Sequence, residues 1–224
     1  MKKLFLIIMK NLLFSLALLI SSCGNDTKSG DNSEMNEKSN SSIGVIDANV
    51  YISKINIEKP EGWFDNNSDN AVVENIKKIQ NDGYKSDAIV DDWNNKQAKV
   101  LYFYTKYDVS THYGVSPTIN ATLIKNIYNK TLEDIFYEGE LLMEQFKTMG
   151  MEEVHLERIG YINLKSGIKA VEIKSSFKLP GFTEKVNSSL YSYFVSKDLI
   201  LQLSFSDLEN DRCDEIYKEI LENF

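Results

Sequence analysis

The chain has 224 residues, 42% of them hydrophobic, which is enough to build the buried core of one domain. Acidic residues outnumber basic ones by 33 to 25, and the net charge of −8 argues against binding to nucleic acid and against electrostatic docking on anionic lipid. The two arginines, Arg158 and Arg212, and the two cysteines exclude an arginine cluster for phosphate and a framework of several disulfides.

The first 22 residues are typical of a secretion signal. Two lysines follow Met1, and the mostly apolar run Leu12–Ile20 precedes two serines. Positive charge, then about 7–15 apolar residues and then small residues characterise a secretory signal peptide. A spanning helix needs about 20 apolar residues, so the interruption at Lys10 makes a retained membrane helix the weaker interpretation. Met9 could also start a shorter signal, so either methionine can be the first residue.

The signal ends in an aliphatic residue and two small residues before a cysteine, Ile20-Ser21-Ser22-Cys23. This pattern resembles the lipobox of bacterial lipoproteins. In that family the cysteine thiol is joined to diacylglycerol, the signal is cut before the cysteine, and the new amino terminus is usually acylated. The resemblance implies a lipid anchor at Cys23 in a bacterial cell envelope. The anchor would lie in the outer membrane of a two-membrane host, and otherwise on the outer face of the plasma membrane.

Residues 24–42 predict a flexible tether, because Met35 is their only large apolar residue and they offer little to a core. We therefore expect a signal peptide at 1–22, the lipidated cysteine and tether at 23–42, and one globular domain at 43–224. Removing the signal takes three lysines with it and leaves 22 basic and 33 acidic residues, a net charge of −11. Cys213 is then the only free thiol, and no intrachain disulfide can form.

The first half of the domain predicts three strands and a helix. A strand at Ile46–Ile57 ends in the turn at residues 60–63, and apolar spacing predicts a helix over Asp69–Ile79. Gln97–Tyr107 is apolar on both faces, as in a central strand that is covered on both sides. A further strand is expected at Ile119–Lys125. In the strand Gln97–Tyr107, alternation places Leu101 and Phe103 on one face and Val100, Tyr102 and Tyr104 on the other.

The second half predicts a helix, two hairpins and a final helix. The helix begins at Thr131, which can form a capping box with Asp134, and ends at Gly150. Ser206 and Glu209 predict a capping box for the final helix. The hairpins join Glu153–Asn163 to Ile168–Phe177 and Ser189–Val195 to Leu199–Phe205. The final helix has an apolar stripe formed by Cys213, Ile216, Tyr217, Ile220, Leu221 and Phe224.

This element order predicts an α+β fold in which helices pack on an antiparallel sheet. The segment Ile57-Glu58-Lys59-Pro60-Glu61-Gly62-Trp63, the segment Pro117-Thr118-Ile119-Asn120, and the last strand leading into a terminal helix resemble the PsbP-like fold, which includes the DcrB-type bacterial lipoproteins. The resemblance covers most of residues 48–224. It implies an α/β/α sandwich with an antiparallel sheet covered by helices. Members of this fold are mainly non-catalytic binding or assembly factors.

Residues with metal-binding or catalytic chemistry are few. His155 lies between Glu153 and Glu157 at strand spacing, which allows a metal site, although a solvated polar face explains the same pattern. His112 is interpreted as a surface residue and Cys213 as a small core residue. The sequence has no nucleophile elbow, glycine-rich phosphate loop or zinc-protease motif. We therefore predict no catalytic residue, no metal site and no cofactor.

Aromatic residues are concentrated in the first half of the domain. Such side chains give a large contact area at low entropy cost, so they often line ligand or partner sites. They are equally favoured in the core of a sheet. We consider both interpretations for the aromatic set, which consists of Trp63, Trp93, Tyr102, Tyr104, Tyr107 and Tyr113.

Together these features predict an exported, membrane-anchored lipoprotein that acts as a non-catalytic binding or assembly factor. The expected partners are the lipid bilayer, through acylated Cys23, and another envelope protein. One alternative is an envelope hydrolase or metal-dependent enzyme whose site combines residues distant in sequence. Another is a purely structural envelope protein. A pocket with convergent polar groups would favour an enzyme, and an exposed aromatic patch would favour a partner.

Overall fold

The computed structural model describes residue 51 and residues 55–67, 98–108, 111–112, 115–148, 150–179 and 181–224. The predicted signal, tether and helix at Asp69–Ile79 lie outside these ranges. None of the helices within them is long and apolar enough to cross a membrane. The elements are β1 (Phe64–Asp65), β2 (Ala98–Thr105), β3 (Thr118–Lys125), α1 (Leu132–Thr148), β4 (Glu152–Asn163), β5 (Lys169–Lys178), β6 (Lys185–Ser196), β7 (Leu199–Leu208) and α2 (Asp214–Leu221).

The strands form one antiparallel sheet in the order β1-β2-β3-β7-β6-β5-β4. Both predicted hairpins are present, since β4 pairs with β5 and β6 pairs with β7. β2 is nearly buried throughout and has neighbours on both sides, as its two apolar faces predict. The α+β class with helices on an antiparallel sheet is confirmed.

The two helices lie on opposite faces of the sheet. Side chains alternate along each strand, so Ile200 of β7 packs in the α1 core while its neighbour Leu201 packs in the α2 core. Gly139 lets α1 approach the sheet closely, because a Cβ at this position would lie 2.5 Å from Ile173 Cδ1 and 2.6 Å from Ile159 Cδ1. The apolar stripes of both helices are therefore buried, each in its own core.

A β-bulge in β2 changes the predicted faces of that strand. The pairing with β3 shifts between Val100 and Tyr102, so alternation breaks there. Leu101 consequently shares the α2 core with Tyr102 and Tyr104, while Phe103 lies in the α1 core with Val100. The expectation that Leu101 and Phe103 share a face is wrong. It assumed that side chains alternate strictly along the strand, and a bulge breaks this alternation without a signal in the sequence.

The predicted strand at Ile46–Ile57 is wrong where the structure describes it. Tyr51 is helical and accepts a hydrogen bond from the Ile55 N–H at 2.8 Å, and residues 55–63 contain no strand. The turn that follows does form. The Trp63 N–H donates to the Pro60 carbonyl, and Gly62 takes the positive φ of 77° that the third position of a type II turn requires. The short strand β1 begins directly after this turn.

One predicted helix start is confirmed and the other is wrong. The Asp134 N–H donates to Thr131 Oγ1, and the Thr131 N–H donates to Asp134 Oδ2, so both halves of the capping box at α1 are made. Ser206 instead belongs to β7, where its hydroxyl bonds Thr118 Oγ1 at 2.8 Å. Pairing with β6 keeps this segment extended through Leu208, and α2 begins only at Asp214.

Candidate ligand-binding cleft

Three members of the aromatic set are core residues. Trp63, Tyr102 and Tyr104 are buried on the α2 side of the sheet. Trp63 meets Tyr217 edge to face with ring centroids 6.5 Å apart, and the Tyr104 hydroxyl donates to the Ile57 carbonyl at 3.1 Å. Burial raises the pKa of Tyr104 to about 12. These three residues are therefore part of the sheet core, which is one of the two interpretations of the aromatic set. Trp93 and Tyr113 lie outside the described residues.

Tyr107, the remaining member, lies in a partly exposed polar cluster. Its hydroxyl donates to Asp211 Oδ2 at 2.6 Å, and its ring stacks on His112 with centroids 4.4 Å apart. Lys106 forms an ion pair with the same carboxylate. Burial pushes the pKa of Asp211 upward, but the hydrogen bonds from Lys106 and Tyr107 outweigh it and lower that pKa. The cluster ties the end of β2 to the segment before α2.

The residues considered for metal binding and reactivity are separated or buried. Glu153 has a positive φ of 48° and binds Lys178 at 2.6 Å, and pairing irregularities flank His155 on both sides. Within the described ranges, no three potential ligands come together. Cys213 is buried under α2, and burial raises the pKa of its thiol.

A cleft of about 790 Å³ opens beside α2. It lies between this helix, the strands β5 and β6, and the turn that joins β4 to β5. Its floor consists of three aromatic residues that also belong to the core, Tyr191, Phe205 and Tyr217, which are 4%, 1% and 8% exposed. Phe205 stacks on Tyr217 with centroids 4.7 Å apart and meets Tyr191 edge to face at 5.9 Å. These contacts hold the floor rigidly, because each ring is fixed by a neighbouring ring.

The carboxylate of Glu172 lies beside Tyr191 of this floor and is only 5% exposed. Arg158 Nε lies 3.0 Å from its Oε2 and Lys174 Nζ lies 3.4 Å from its Oε1. Burial and then the Glu172 carboxylate raise the pKa of Tyr191. Further charged residues of both signs line the cleft, namely Lys165, Asp214, Lys218 and Glu222.

Sequence reasoning did not identify this cleft. Its residues come from four strands, a turn and a helix, so no local spacing links them. Glu172 and Lys174 alternate regularly with Val171 and Ile173 along β5, a pattern that in sequence alone indicates a strand face in contact with water, so the burial of Glu172 was not foreseeable. A charged residue within a buried strand needs a partner, and its partners mark a polar site.

The arrangement is suited to binding. An aromatic floor with polar groups at defined positions is the usual composition of a small-molecule site. The residues that line the cleft include no histidine and no cysteine, and Ser189 lies opposite Lys174 in the pairing of β5 with β6.

Comparisons with known proteins give a partial likeness to a solved structure. No protein-family model matches the chain, and no curated protein matches it significantly. Among solved structures, the crystal structure of LpqN, described as involved in cell envelope biogenesis of Mycobacterium tuberculosis, matches 69% of this chain and 71% of its own. The identity is 13% and the TM-score 0.41, so this likeness indicates neither a ligand nor an activity.

Proposed function

We propose that this chain is a lipid-anchored protein of a bacterial cell envelope that binds an amphipathic ligand without transforming it. The lipobox-like segment at residues 20–23 supports the anchor. The cleft beside α2 carries the binding part of the proposal, because it combines an aromatic floor with charges of both signs. A ligand with an apolar or ring-shaped body and polar substituents fits this chemistry.

A substitution that fills the cleft tests the proposal. Ser189 lines the cleft, so Ser189→Trp places an indole where the ligand would lie, while Ser196→Trp puts the same side chain at the exposed end of β6. Each full chain is purified from its membrane, and molecules that co-purify are identified by mass spectrometry. We expect a molecule that the wild type and Ser196→Trp retain and Ser189→Trp loses. An identical set from all three proteins contradicts the proposal.

The recovered molecule also distinguishes binding from catalysis. After incubation with fresh wild-type protein, we expect its mass to be unchanged. A hydrolysed or otherwise modified product would instead favour the alternative, an envelope enzyme whose site combines residues distant in sequence.

A further inference from the structure

The strand β4 forms an open edge of the sheet. It has twelve residues and, within the described part of the chain, pairs only with β5. Two of its large apolar side chains are well exposed, Leu156 at 37% and Tyr161 at 43%. An exposed edge strand presents free backbone N–H and C=O groups to any second strand that fits. Among the described residues, β4 is therefore an outermost strand of the sheet, with one side that makes no strand pairing.

An aromatic row extends this apolar surface onto α1. The Tyr161 ring stacks on Phe136 with centroids 5.3 Å apart, and Phe136 meets Tyr137 edge to face at 6.2 Å. Tyr137 is also exposed. Lys169 Nζ lies 4.1 Å above the Tyr161 ring. Contiguous exposed apolar groups beside an open edge are typical of a protein-contact surface.

A bulge in β4 determines which second strand fits this edge. Leu156 lies opposite Ser175 and Arg158 opposite Lys174, so Glu157 is the extra residue. The alternation of side chains between the two faces of the sheet therefore shifts by one residue at Glu157. Val154 and Leu156 before the bulge, and Ile159 and Tyr161 after it, all lie on the α1 face of the sheet.

We propose that β4 pairs antiparallel with β4 of a second copy of this chain, with Glu157 of one copy opposite Arg158 of the other. This register places Leu156 opposite Ile159 and Val154 opposite Tyr161, so each apolar residue meets an apolar residue on the same face. Two Glu157–Arg158 ion pairs form across the twofold axis. A shift by one residue would place these apolar side chains opposite residues of the other face.

The strand is therefore complementary to itself, which argues for a second copy as the occupant. Any antiparallel pairing of a strand with its own copy is twofold symmetric, and in this register the ion pair and both apolar matches each occur twice. In a strand without the bulge, a register that joins residue 157 to residue 158 would place residues of opposite faces against each other. The bulge removes that mismatch.

Mixed crosslinking tests the pairing and its register. Two differently tagged full chains, one with Leu156→Cys and one with Ile159→Cys, are co-expressed in a bacterial envelope and treated with a short bifunctional thiol reagent. We expect a mixed dimer, because these positions lie opposite each other, with Cβ atoms about 4.5–5.5 Å apart. Either variant alone should lose this product, since its own two copies are offset by three residues, roughly 10 Å along the strand.

The wild type, whose Cys213 is buried, controls for background crosslinking. Absence of a mixed dimer, or an equally strong dimer from Leu156→Cys alone, overturns the proposed register.

A matched pair of surface variants tests the association itself. Tyr161 and Tyr128 are both 43% exposed, but only Tyr161 belongs to the β4 edge. In sedimentation of the full chain in detergent, we expect Tyr161→Lys to shift the wild-type dimer to the monomer and Tyr128→Lys to leave it intact. A monomeric wild type, or equal effects of both variants, overturns the proposal.

Discussion

The two cysteines of the chain have different expected roles. Cys213 is buried at the start of α2, where its backbone N–H donates to Asp207 Oδ2 at 3.0 Å. Burial raises the pKa of its thiol, so the nucleophilic thiolate is scarce at neutral pH. Cys23 follows the predicted signal and is the residue that the lipobox resemblance assigns to lipid attachment.

We expect Cys23→Ala in the full chain to move the protein out of the membrane fraction. The apolar run Leu12–Ile20 is too short to hold the chain in a bilayer, whereas several acyl chains would, at about 0.8 kcal/mol per buried methylene. Membrane fractionation with a carbonate wash measures the effect. Cys213→Ala should remain bound and serves as the control. Retention of Cys23→Ala after the wash would refute the lipid anchor.

At the scale of elements, α2 is held by its apolar stripe rather than by a side-chain cap. No side chain caps its amino terminus, and Cys213, Tyr217 and Ile220 are buried in the core of that face. The Tyr217 hydroxyl also donates to the Ser206 carbonyl of β7. The helix forms one wall of the cleft, so its docking on the sheet defines the cleft.

We expect Ile220→Ala to destabilise the protein by roughly 2–5 kcal/mol, because it removes buried methyl groups from a packed site. Glu219 is exposed on the same helix, and Glu219→Ala should change the free energy of unfolding by less than about 0.5 kcal/mol. Urea denaturation followed by circular dichroism measures both. Equal, small effects would show that α2 is not docked in solution.

The strands β3 and β7 show where pattern analysis fails at this scale. On the α1 face they carry alternating polar residues that are nevertheless buried. In a strand read alone, this alternation indicates a face in contact with water. The pairing of β3 with β7 instead places the polar residues of the two strands opposite each other. The hydroxyl of Thr118, for example, forms a hydrogen bond with the hydroxyl of Ser206. The buried polar residues are Thr118, Asn120 and Thr122 of β3 and Gln202, Ser204 and Ser206 of β7.

At the scale of the whole molecule, the described part of the chain buries several of its tyrosines. Burial is the largest cause that raises the pKa in five of them, and for Tyr104 the value reaches about 12. A phenol whose pKa is raised by folding favours the protonated, folded state. These groups are Tyr102, Tyr104, Tyr191, Tyr193 and Tyr217.

We therefore expect cooperative alkaline unfolding. The contribution of these tyrosines is fully present below the unfolded pKa of about 10 and is lost as pH rises from 10 toward 12. Phenolate absorbance and circular dichroism should change together in this window. Ionisation of all the tyrosines with no loss of structure would contradict the buried assignment.

The sequence by itself determined the α+β class, both hairpins, the capping box at Thr131 and the apolar stripe of α2. Each depends on neighbours within a few residues, where periodicity and capping chemistry act directly. Only the tertiary structure decided the bulges in β2 and β4, the burial of Trp63, Tyr102 and Tyr104, and the cleft around Glu172. These features arise where segments distant in sequence pair with each other. The position of a bulge and the burial of a charged residue both depend on the neighbouring strands, which local patterns do not show.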